Sequence, residues 1–64
     1  MNSCSLSAAA KALARSGRTV QLGALMQRHP WSLAPHALDV MAALPETLPA
    51  RQLSPLLQQV PWAS

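Results

Sequence analysis

The sequence has one cysteine, two glycines, two acidic residues and no tyrosine or phenylalanine, and most of these scarcities remove a class of explanation. Cys4 has no mate within the 64 residues, so no internal disulfide can staple the fold. His, Cys, Asp and Glu nowhere cluster at metal-ligand spacing, and no cofactor is implied. Gly17 and Gly23 stand alone, which excludes a glycine-rich loop cradling phosphate. No serine sits in a glycine-flanked elbow, and Cys4 has no activating neighbour, so covalent catalysis lacks both nucleophile and base. An enzyme is therefore not expected. No run approaches the roughly 20 apolar residues of a membrane span, and Met1 to Gly17 lacks the apolar stretch of a secretory signal. Alternating patterns are absent, and the β-branched residues are only Thr19, Val20, Val40, Thr47 and Val60, so no strand is expected.

What is present is apolar. Half of the residues are hydrophobic and 11% charged, too apolar for a disordered tail. The length allows one domain, and a domain this small buries only about 60% of its unfolded surface. The net charge is +3, from Lys11, Arg15, Arg18, Arg28 and Arg51 against Asp39 and Glu46. Five scattered cations are thin for nucleic acid, which needs a dense positive surface. Lys11, Arg15 and Arg18 fall at i, i+4 and i+7, read as one solvated stripe of a helix. Ser3 to Arg18, with serine, alanine and basic residues and no acid, also has features of an organelle transit segment. One unpaired cysteine fits a reducing compartment.

Six prolines divide the chain after residue 29: Pro30, Pro35, Pro45, Pro49, Pro55 and Pro61. Four helical pieces are predicted. The first spans about 5–16, capped by Ser5 or Ser7, with Leu6, Ala9, Ala10 and Leu13 on one face and Gly17 as a left-handed C-terminal cap. The second spans about 19–29, with Thr19 as N-cap, Leu22, Leu25, Met26 and His29 on one face, and Pro30 ending it. The third spans about 35–43, opening at Pro35, with Leu33, Ala37, Val40, Met41 and Leu44 as its stripe. The fourth spans about 49–60, with Thr47 as cap and a break near Pro55. The fold class is all-α: short helical hairpins of α-solenoid type, three to five helices joined by proline-rich turns, in a single partial helical-repeat domain over 1–64.

His29 and His36 are seven apart, but the prolines beside them interrupt any shared helix, so a metal site is not expected. Trp31 follows a helix-ending proline. Interlayer packing is its first reading and a partner anchor its second, since tryptophan is enriched in hot spots. Nothing decides the role of Trp62. Glu46 is placed to bond free backbone donors of the following helix.

From Leu22 to Leu57 the chain reads LGALMQRHPWSLAPHALDVMAALPETLPARQLSPLL. A small-residue and leucine helix ends in a basic residue and histidine, Gly23 to His29. An apolar-x-proline turn with a following histidine comes next, Leu33, Pro35 and His36. An apolar helix then leads to the triplet Pro45, Glu46 and Thr47, and the pair Leu56 and Leu57 follows. This ordered set resembles the secretory pathway protein 39 domain family, found in the neuroblastoma-amplified sequence protein and its plant counterparts. The resemblance covers a bit over half of the chain. Two departures stand out: Pro55 replaces an ordinary helix former, and family members are very long, which suggests a fragment or a short paralogue. No known contact residue carries over; His29, Pro35, His36, Pro45, Glu46 and Thr47 read physically as turn-makers, caps and packing positions.

The resemblance implies a non-enzymatic α-solenoid segment of a vesicle-tethering subunit in Golgi-to-endoplasmic-reticulum retrograde transport. Other tether subunits and SNARE proteins are then the partners, with no nucleic acid and no membrane span. The implied address is cytoplasmic, peripheral to the endoplasmic reticulum membrane. A vacuolar or endosomal tether segment, a kinetochore relative of the same tether family and a small imported organelle protein are the alternatives. Substituting Leu38 or Met41 by aspartate is expected to abolish structure, by charging the third helix's apolar side.

Overall fold

The computed structural model describes residues 3–58, which are helical and turn throughout, with no strand among them. The all-α class is therefore observed. Helix α1 runs Ser3–Arg15, α2 Thr19–Arg28, α3 Pro30–Leu33, a 3-10 turn Ala34–His36, α4 Ala37–Ala42 and α5 Ala50–Gln58. The expected role of Trp62 and the last two residues of the fourth predicted helix lie outside the described residues.

Helix α1 is rich in alanine, the strongest helix former, and ends in a Schellman motif. Gly17 takes φ +69°; its N–H donates to the Ala14 carbonyl and the Arg18 N–H to the Leu13 carbonyl, both at 3.0 Å. The Ser16 hydroxyl donates to the Ala12 carbonyl at 2.7 Å, so the last turn's carbonyls have partners. This sharp stop has a consequence for charge. Arg18 is the N-cap of α2 and leaves the Lys11–Arg15 stripe, so the expected three-residue basic face is really two residues on α1. Thr19 is helical and does not cap, and Ser7 is a buried interior residue of a helix that starts earlier, at Ser3.

The core lies where the helices meet. It consists of Leu6, Ala10 and Ala14 from α1, Leu22 and Met26 from α2, Leu33 from α3, Ala37 and Val40 from α4, and Leu56 from α5. Leu13, Leu25, Met41, Ala43 and Leu44 pack around it. Helix α1 packs against α2, α3 and α4, and α5 covers α2 from the other side. Burying one Leu, Val or Met side chain stabilises by about 1.5–3 kcal/mol. Ala10 and Ala14, with no accessible surface, keep the α1 contact thin.

Proline placement differs from expectation in three places. Pro30 does end α2, but it also opens α3 at the first-turn position, where its missing N–H costs nothing. Pro35 lies within the 3-10 turn, so α4 begins at Ala37. Pro55 sits inside α5, which continues through it. A proline there deprives one carbonyl, that of Arg51, of its i+4 donor. Pro49 caps α5 through its carbonyl, which accepts from the N–H groups of Gln52 at 3.0 Å and Leu53 at 3.1 Å. Neither Thr47 nor Glu46 caps this helix. Both are exposed in the turn closed by the Leu48 N–H to the Pro45 carbonyl, 3.2 Å.

Candidate functional site

The histidines and prolines of the resemblance are spread over joints of the chain. His29 is half-buried between α2 and α3; its N–H donates to the Leu25 carbonyl at 3.1 Å and its carbonyl accepts from the Leu33 N–H at 3.0 Å. Pro35 is exposed in the 3-10 turn, and half-buried His36 closes that turn. Pro45 is half-buried and opens the turn to α5, with Glu46 and Thr47 exposed beside it. These positions fix chain direction, and they do not converge on one cleft. No group of three or more His, Cys, Asp or Glu that would hold a metal occurs among the described residues.

The surface that does stand out is apolar. Trp31 is 90% exposed and Leu38 82% exposed. Interlayer packing of Trp31 is thus overturned, and so is the expectation that Leu38 faces the core. The reason is angular. With a helix opening at Pro30, the buried residues Leu33, Ala37 and Val40 fall at i, i+4 and i+7. Trp31 lies two residues before Leu33, and Leu38 two before Val40, each about 200° around the helix from its buried neighbour. Trp31, Ala34, Pro35 and Leu38 are all exposed and spaced i, i+3, i+4 and i+7, which makes one outward face. The stretch 30–42 is thus apolar inward and outward. Reading Pro30 as a helix start was the signal that would have placed Trp31 on the surface.

Two further surface features complete the inventory. A hollow of about 240 Å³ between α2 and α5 is lined by Thr19, Val20, Arg51, Gln52, Pro55 and Leu56, with Val20 83% exposed at its rim. Lys11 and Arg15 of α1 border the seam with His36 and Asp39. No helix among the described residues is long and apolar enough to cross a membrane.

Comparison with known proteins gives one informative likeness. Over 49 residues, 77% of this chain, the sequence is 47% identical to MAG2-interacting protein 2 of Arabidopsis thaliana. The chain spans only about 2% of that protein's length. No family model matches, and no solved structure matches. The chain is therefore similar to a small part of a much longer protein, one named for its interaction with another protein.

Proposed function

We propose that this chain is a non-enzymatic helical segment of the tether type, belonging to the secretory pathway protein 39 domain family. In this reading it packs as part of an α-solenoid and binds protein. It acts in Golgi-to-endoplasmic-reticulum retrograde transport, on the cytoplasmic side of the endoplasmic reticulum membrane. The partners are other subunits of the tether and, through them, SNARE proteins. The observation that carries the reading is the 47% identity to MAG2-interacting protein 2. The outward stripe of Trp31, Ala34, Pro35 and Leu38 supports it. Helices of a stacked array need apolar surface on two sides, one for each neighbour. Tryptophan at the centre of such a face is a good anchor because it buries a large area at low entropic cost. The occupant of the stripe is accordingly an apolar helix face of a tether subunit.

The test is proximity labelling from the tagged chain in cells, comparing the wild type with Trp31→Asp/Leu38→Asp. Enrichment of retrograde tether subunits by the wild type, lost in the variant, is the expected result. Labelling of endosomal or vacuolar tether subunits would move the address. Labelling of organelle matrix proteins would replace the reading with that of an imported protein.

A further inference from the structure

The tether reading makes no use of the basic seam between α1 and the 3-10 turn with α4. Lys11 and Arg15, one turn apart on α1, border two adjoining depressions. The first, about 380 Å³, is completed by Ser7, Ala8 and His36. The second, about 510 Å³, is completed by Asp39, Ala42 and Ala43. Because both share the same two cations, they form one groove along α1, from Ser7 to Arg15, about 12 Å of helix. Its walls carry charge, and alanine methyls contribute to its lining. Among the described residues, Lys11 and Arg15 make no ion pair, and Asp39 shares the groove without pairing with either. Lys11 and His36 are half-buried, so their polar ends start from packed stems.

We propose that this groove binds an acidic peptide segment, with carboxylates spaced to meet Lys11 and Arg15. Elongation argues for a segment rather than a single phosphate. Two cations a turn apart match carboxylates at i and i+4 of a helical partner. The small alanine side chains let the partner's backbone come close. Nucleic acid would need several more phosphate-neutralising groups than this groove offers. A membrane surface would need large apolar side chains beside the cations, and the lining here offers alanine. The chain also has cationic charge in excess over its own acids, which leaves complementary charge to come from outside.

The experiment uses the full chain and a fluorescent helical peptide carrying glutamates at i and i+4, with affinity read by anisotropy. Binding is expected to be weak and to fade as salt rises from about 50 to about 300 mM, because the contacts are solvent-exposed. Lys11→Gln/Arg15→Gln is expected to weaken binding about tenfold, from the loss of two exposed charge pairs. Asp39→Asn should tighten it about twofold by removing a like charge from the groove. None of the three positions is in the core, so circular dichroism of the variants should match the wild type. Equal binding of a peptide with glutamine for glutamate, or an unchanged affinity in the double variant, would overturn the proposal. So would a preference for phosphatidylserine vesicles or a DNA oligonucleotide over the peptide. Trp31→Asp/Leu38→Asp should leave peptide affinity unchanged, so failure of the groove and failure of the tether reading are separable.

Discussion

Replacing Gly17 by alanine tests the α1–α2 corner through the backbone alone. At φ +69° an L-residue with a Cβ pays about 1–2 kcal/mol for the left-handed conformation. The substitution also stiffens the unfolded chain, which returns about 0.4–1 kcal/mol. The net loss is therefore about 1 kcal/mol. A Cβ at this site would lie 3.9 Å from Leu48 Cδ1, an ordinary contact, so no steric term is added. With an unfolding entropy of about 2.1 cal/mol/K per residue over the chain, that loss lowers Tm by roughly 7 °C. The assay is thermal unfolding followed by helical circular dichroism. Gly17→Asn should fall between glycine and alanine, since asparagine tolerates this conformation. Gly17→Ala should cost the same in a Leu48→Ala background, because the two positions do not clash. Alanine melting with the wild type, or a cost that disappears when Leu48 is truncated, would refute the backbone account.

Other expectations follow from burial and helix geometry. Leu38→Asp, on an 82% exposed residue, should change stability by less than about 0.5 kcal/mol, whereas Val40→Asp at a fully buried position should unfold the chain; urea unfolding distinguishes them. Leu22→Ala should cost about 2–5 kcal/mol and abolish the cooperative melt. In a Trp62→Phe background, acrylamide should quench Trp31 nearly as fast as free indole, with little change on unfolding, as befits 90% exposure. Pro55→Ala restores the missing donor within α5 and should raise stability by about 1–3 kcal/mol, read as a higher Tm.

The sequence declared the parts of this fold that depend on local chemistry. Alanine content and Gly17 defined α1 and its end, and leucine and methionine spacing defined the buried face of α2. Proline was harder to read, because it is unfavourable inside a helix and welcome in its first turn. Pro30 does both things at once, and recognising only the stop moved Trp31 and Leu38 to the wrong side. Pro55 is tolerated because α5 has a single anchored face, with Leu56 buried against α2, and losing one hydrogen bond does not release it. The apolar outer stripe follows from helix phase, which becomes fixed only once the start of α3 is known. The basic groove depends on α1 and α4 lying side by side, a tertiary relation that spacing within either helix does not contain. Periodicity did place Lys11 with Arg15, but the Schellman stop at Gly17 took Arg18 away.

The joint at His29 has a mechanical consequence. It is one residue long, and the hydrogen bonds of both helices end on it: its N–H belongs to α2 through Leu25, and its carbonyl to α3 through Leu33. Swinging one helix relative to the other would break one of those bonds. Under load, α2 and α3 therefore respond as a single bent beam rather than as two links of a string, and a pull on one end is carried round the corner to the other.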